Sequence, residues 1–143
     1  MTGSAVIDEG TEFGGRVVER LGKEALGWLT TVGPSGTPQP NPVWFLWHGG
    51  ELLVFSRPDQ AKLRNIAANP RVALNLNSGP DGGDIVVLTG AARIDPSGAT
   101  ADEIDSYTSK YRENMDRLKY TPEGFYGDYS TLIRIVPDRV RGF

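Results

Sequence analysis

The sequence predicts a mainly β fold of the α+β class: an antiparallel barrel of six or more strands in hairpin order, with helices as insertions. Three observations lead there. Short apolar or alternating segments recur along most of the chain, separated by turn residues. The 143 residues include 18 glycines and 10 prolines, a composition rich in turns. Strands in this order leave open edges unless the sheet closes, and closure removes them.

Taken in order, residues 1–10 read as a disordered segment and residues 11–143 as one domain. Phe13, Val17 and Leu21 recur every four residues, which predicts a short helix from Thr11 to Leu21 despite the pair Gly14–Gly15. The period then changes. Gly27–Val32 reads as a strand, GPSGT as a turn, and Gln39–Trp47 as a second strand. His48-Gly49-Gly50 forms a hairpin turn into a third strand, Glu51–Ser56. The stretch PDQAKLRNIAAN predicts a short helix whose first position is Pro58 and which Pro70 stops. RVALNLN is a fourth strand and IVVLTGAARI a fifth, with Gly90 marking a bulge. Thr100 and Glu103 form a capping box for a longer helix striped by Ile104, Tyr107, Tyr111, Met115 and Leu118. TPEGFYGDYS reads as a connector to a sixth strand, TLIRIV, and the tail DRVRGF as a final short strand.

Composition narrows the chemistry. There is no cysteine, so thiolate nucleophiles, thiolate metal sites and disulfides are excluded. His48 is the only histidine, which excludes a multi-histidine metal site. The start has no basic, apolar leader and no stretch approaches 18 apolar residues, so a cytoplasmic protein with no membrane partner is expected. A net charge of -3 argues against nucleic acid as a partner. No phosphate-binding glycine motif is present. The acidic pairs Asp102/Glu103 and Asp81/Asp84 read as helix capping and solubility, and His48 as an exposed turn residue.

Two stretches stand apart. Pro38, Pro40 and Pro42 alternate along the second strand, so all three missing N–H groups fall on one edge. That edge is either a plain barrel opening or a slot where a flat ligand meets Asn41 and Trp44. FSRPDQAKLRNIAANPR, Phe55 to Arg71, carries four basic residues against one acid in an acidic chain. Ser56, Arg57 and Lys62 beside a helix start could receive a phosphate, or be ordinary solvated side chains. Trp44 and Trp47 have opposite parity, so they face opposite sides of their strand.

LTTVGPSGTPQPNPVWF, LLVFSRPDQAKLRNIAANPRVAL and VLTGAARI, in that order, resemble the split-barrel flavin- and deazaflavin-binding reductases, relatives of pyridoxamine 5′-phosphate oxidase. The resemblance spans roughly Ala25 to Ile94, and within the family it is greatest to small actinobacterial members that use coenzyme F420. It implies a six-stranded antiparallel split β-barrel and a homodimer with the cofactor at the interface. By position, Ser56, Arg57 and Lys62 would hold the cofactor phosphate, while Asn41, Pro42, Val43 and Trp44 would line the tricyclic ring. Phe143 would reach towards the partner's site. Arg64, Arg71 and Lys110 are candidates for the cofactor's glutamate tail. No catalytic acid or base can be named. The oxidases place an Arg and a Lys on the second strand for flavin phosphate, whereas no Lys or Arg occurs here between Lys23 and Arg57. That favours F420 over FMN. The expected reaction is hydride transfer from reduced deazaflavin to a conjugated enone, lactone or quinone. An FMN-dependent oxidoreductase, a flavin- or haem-binding protein and a scaffold with a vestigial site are the alternatives.

Overall fold

A computed structural model describes residues 6–143. Its elements, in order, are α1 (Glu12–Lys23), β1 (Gly27–Val32), β2 (Pro38–Val43), β3 (Leu46–His48), β4 (Glu51–Ser56), α2 (Ala61–Ala68), β5 (Arg71–Leu76), β6 (Val86–Asp95), α3 (Ala101–Arg117), α4 (Pro122–Asp128) and β7 (Thr131–Gly142). The strands form one curled antiparallel sheet in the order β2-β1-β5-β6-β7-β4-β3. It has seven strands rather than six, because the expected second strand is interrupted at Trp44 and Phe45. The expected final short strand is instead continuous with the one before it, as β7.

The interruption determines how the sheet closes. β2 and β3 lie at opposite edges yet follow one another in the chain with two residues between them. The two edges are therefore joined end to end by the chain, and among the described residues no ladder pairs them. The prolines explain one side. β2 pairs with β1, where Gln39, Asn41 and Val43 retain their N–H groups, and Pro38, Pro40 and Pro42 leave the other edge without donors. Side chains explain the other. The Phe45 N–H donates to Tyr111 Oη (2.8 Å), whose own hydroxyl lies 2.9 Å from both the Phe45 and Ala25 carbonyls. Lys110 Nζ donates to the carbonyls of Phe45 (2.8 Å) and Leu21 (3.0 Å). The Phe45 backbone groups that the broken strand frees are thus satisfied by α3.

Alternation divides the apolar side chains between two clusters. The barrel interior takes Leu29, Leu52, Val54, Leu74, Leu88, Ile133 and Ile135, closed at one end by Val17 and Leu21 of α1. The outer face of β3, β4 and β7 packs Leu46, Leu53 and Leu132 against Tyr107, Tyr111, Met115 and Phe125 of α3 and α4. β4 is consequently buried on both faces. As parity requires, Trp44 joins the helical cluster and Trp47 the barrel core.

Most local expectations are met. The expected first helix is present as α1, and Thr11 precedes it as its cap, accepting from the Gly14 N–H. Gly14 is needed there, because a Cβ would fall 1.8 Å from the Asp8 carbonyl oxygen. The capping box at Thr100 and Glu103 is present. The ladder shifts register between Thr89 and Gly90, and Gly90 faces Pro137, which has no N–H to donate. Three expectations need correction. α2 begins at Ala61, not Pro58, because Asp59 takes a left-handed conformation (φ 62°) that ends any helical run through it. TPEGFYGDYS contains α4, capped by Thr121 with Pro122 in its first turn. The expected disordered segment lies outside the described residues over 1–5. At 6–10 it meets a packed residue, Ile7, which is 3% exposed.

One buried cation fixes α3 to the sheet. Arg134 of β7 donates to both carboxylate oxygens of Glu103 (2.8 and 2.8 Å), to Asp95 (2.6 Å) and to Glu51 (3.1 Å). The Arg134 guanidinium, assisted by the Thr100 backbone, pulls Glu103 down to about 2. A carboxylate with a depressed folded pKa contributes stability that is fully present above its unfolded value and is lost as pH falls towards the folded one. Denaturant titrations should therefore show stability falling by a few kcal/mol between about pH 5 and pH 2, a loss that Glu103→Gln should blunt. Tyr111→Phe should cost about 1–3 kcal/mol in a urea melt, by leaving the buried Phe45 N–H without an acceptor.

Candidate functional site

A cavity of about 330 Å³ opens where β2 turns into β3, between the sheet and the α3–α4 layer. Pro42, Val43 and Trp44 form one wall. Trp44 is held flat by stacking on Tyr111 (4.5 Å between centroids, 2° between planes) and on Phe125 (5.3 Å, 15°). Lys62, from the first turn of α2, is the only charged side chain in the lining. Its ammonium is half-buried, which lowers its pKa, and among the described residues no carboxylate pairs with it. A cation without a counter-ion in an aromatic setting is a place for an anionic group on a flat ligand. Larger hollows of about 530 Å³ are more open. The one beside Trp28, Asn75 and Asn77 has no charged group to orient a ligand.

Four of the seven residues expected at the site, Pro42, Val43, Trp44 and Lys62, thus come together. The other three differ. Asn41 does not line the cavity; its amide donates to the Gln39 carbonyl (3.4 Å). Ser56 is buried, and its hydroxyl donates to the Arg57 carbonyl (2.8 Å). The later helix start also removes the helix-terminus argument for Ser56 and Arg57. Arg57 sits at the rim, donating to Tyr120 Oη (3.2 Å) with its guanidinium over the Tyr129 ring (4.8 Å). Asp128 lies 3.9 Å away and accepts from the Tyr120 hydroxyl (3.0 Å). Arg57 is half-exposed, and solvent screens a pair of this kind so that it contributes little.

The tail candidates also separate. Lys110 is committed to the backbone carbonyls at the break, and burial brings it down to about 8. Arg71 makes a two-pronged pair with Asp138 (2.6 and 3.2 Å), while Arg64 donates to the Asp59 carbonyl (3.3 Å). His48 is not a free turn residue: it ends β3, and its Nε2 lies 3.0 Å from Asp102. Sequence reasoning missed the cavity's second wall, Tyr107, Tyr120, Phe125 and Tyr129. The available signal was the aromatic density of the stretch read as a connector.

This architecture, a curled antiparallel sheet with a cavity at its broken edge, defines a class of small split-barrel proteins. The sequence matches the family described as pyridoxamine 5′-phosphate oxidase over residues 13–143, and the chain belongs to that family. Among curated proteins none matches. Among solved structures, an F420 reductase superposes with a TM-score of 0.62 at 29% identity, over 86% of this chain and 94% of its own. A FAD-binding protein from Mesorhizobium loti gives 0.66 at 21% identity, over 87% of each chain. The heme storage protein from Vibrio cholerae gives 0.62 at 15%, over 92% and 95%. The latter two share the fold alone. No helix among the described residues is long and apolar enough to cross a membrane.

Asp128 is the carboxylate that pairs with Arg57 at the cavity rim among the described residues. Asp128→Asn should raise the affinity for inorganic phosphate up to about fivefold, read from a chemical-shift titration at low salt. The gain should shrink at high salt.

Proposed function

We propose that this protein is an F420-dependent reductase that transfers a hydride from reduced deazaflavin to a conjugated enone, lactone or quinone. The observation that carries this reading is the convergence of the Pro42–Val43–Trp44 wall and the unpaired Lys62 ammonium in one cavity. The lining suits a flat tricycle with an anionic arm: apolar and aromatic surfaces for the ring, one cation for the charge. The absence of Lys and Arg from β2 and β3, and the 29% identity with an F420 reductase, support F420 over FMN. A haem reading is less favoured, since the only histidine is bonded to Asp102 and does not line the cavity.

When bound, reduced F420 would supply the hydride. The chain's own residues bind, orient and exclude water. Lys62, with Arg57 swinging from the rim, would hold the phosphate, and the Ser56 hydroxyl would have to leave its carbonyl to join them. Trp44, fixed by Tyr111 and Phe125, would set the plane of the ring. Leu26 and Leu118, 41% and 56% exposed at the cavity, are apolar surface that a second copy would cover in a homodimer. Phe143, 70% exposed, would be free to reach the partner. A cytoplasmic setting belongs to the same reading.

Fluorescence titration with F420 and with FMN tests it, followed by an acceptor screen. F420 should bind more tightly than FMN. The double replacement Arg57→Ala/Lys62→Ala should cost a few kcal/mol of that binding, since each charge-assisted hydrogen bond contributes about 1.5–3 kcal/mol. Unchanged affinity in the double variant would remove the phosphate assignment, and turnover with FMN alone would remove the deazaflavin.

A further inference from the structure

A second hollow lies on another flank of α2 from Lys62 and shares no lining residue with the aromatic cavity. It has a volume of about 530 Å³ and runs between α2 and the turn that joins β1 to β2. Ala61, Arg64, Asn65 and Ala68 line it, the i, i+3, i+4, i+7 stripe of that helix. The two alanines leave space open. Between them Asn65 is polar although only 6% exposed.

A chain of hydrogen bonds ties this stripe to the sheet. The Asn65 amide donates to Thr31 Oγ1 (3.0 Å) on β1 and to Gln39 Oε1 (2.9 Å) on β2, so its N–H groups are engaged. Thr31 is wholly buried, and these bonds anchor α2. Each amide keeps an end that the anchor leaves over. Among the described residues nothing donates to Asn65 Oδ1, and Gln39 Nε2 donates to nothing. Neither atom is sealed, because Tyr107 Oη is the one buried side-chain polar atom there that lacks a partner. Both ends therefore reach solvent, and the hollow is where Asn65 and Gln39 meet it. Gln39 Nε2 is also placed by its neighbour: a Cβ on Gly33, another lining residue, would fall 2.7 Å from it. Arg64 lines the same space. It gives an N–H to the Asp59 carbonyl (3.3 Å), and among the described residues no carboxylate pairs with it.

These groups define a ligand by their chemistry. A guanidinium and an amide NH2 donate to a carboxylate, while an amide oxygen beside them accepts from a hydroxyl or an ammonium. We infer that this hollow binds a small carboxylate bearing a hydroxyl or ammonium group on the adjacent carbon. Arg64 and Gln39 Nε2 hold the carboxylate, and Asn65 Oδ1 receives the donor. The site is separate from the aromatic cavity and does not rest on the reductase reading.

The test is a chemical-shift titration of the full-length protein with glycolate, glycine, acetate and glycolamide. Glycolate or glycine should saturably shift the side-chain amides of Gln39 and Asn65 and the backbone amide of Gly33, with a Kd on the order of millimolar. Acetate, which lacks the donor, should bind about fivefold more weakly, and glycolamide, which lacks the charge, about tenfold or more. Arg64→Gln, an exposed change, should weaken the preferred acid about tenfold. Gln39→Glu keeps an oxygen for the Asn65 amide but turns the free donor into a carboxylate. It should abolish binding while moving the thermal midpoint by less than about 2 °C. Absence of saturable shifts, acetate bound as tightly as both other acids, or unchanged affinity in Arg64→Gln would each overturn the inference. Shifts centred on Trp44 and Lys62 would put the acid in the aromatic cavity and overturn it too. Whichever of glycolate and glycine binds more tightly identifies the group that Asn65 receives. Added F420 or FMN should leave that affinity unchanged, so the result stands whether or not either cofactor binds.

Discussion

The structure depends on how the chain crosses from one edge of its sheet to the other. Between Val43 and Leu46 the backbone leaves one ladder and enters another, and Phe45, wholly buried at that point, has no strand to pair with. Tyr111 and Lys110 take the place of that strand. They are consecutive residues of α3, and together they satisfy both polar groups of Phe45. Lys110 also lies over the Phe45 ring at 3.8 Å, so one ammonium meets carbonyl oxygens and an aromatic face. The same two side chains thereby join the edges of the sheet and dock the helical layer on it. The cavity exists because of it, since Trp44 is set by stacking on the same Tyr111 that holds its neighbour.

Much of this architecture was legible in the sequence. The strands declared themselves by alternation because each buries a defined face, and β4 looked continuously apolar because it buries both. The cap at Thr100, the Gly90 bulge and the opposite facing of Trp44 and Trp47 follow from local chemistry or parity. What could not be read is long-range. The bond from Phe45 to Tyr111 spans 66 residues, and nothing near either residue announces it. The strand therefore looked unbroken. The start of α2 was misplaced for a local reason: Pro58 suits a first helical position, but Asp59 adopts a conformation that non-glycine residues seldom take.

The site divides along the same line. Lys62 and the Pro42–Trp44 wall are close in sequence to the features that pointed to them, and they meet in space. Asn41 and Ser56 are adjacent in sequence to cavity-side residues, but their side chains are spent on neighbouring carbonyls. The aromatic wall was invisible as a site because Phe125 and Tyr129 fall in a stretch with two glycines and a proline that reads as loop, and Tyr120 directly precedes it. Thr121 and Pro122 were the signal that a short helix begins there. Arg134 adds a constraint from outside the cavity. It draws carboxylates from β4, β6 and α3 to one point on β7, so the helix bearing Tyr107 and Tyr111 has little freedom to slide.

The donor-free edge of β2 bears on how copies of this chain can meet. Pro38, Pro40 and Pro42 present carbonyl oxygens outward with no N–H beside them, so a strand laid alongside could give hydrogen bonds but receive none. Side-by-side growth into a longer sheet would leave half of each new ladder unmade. This margin is thereby protected against strand-mediated aggregation.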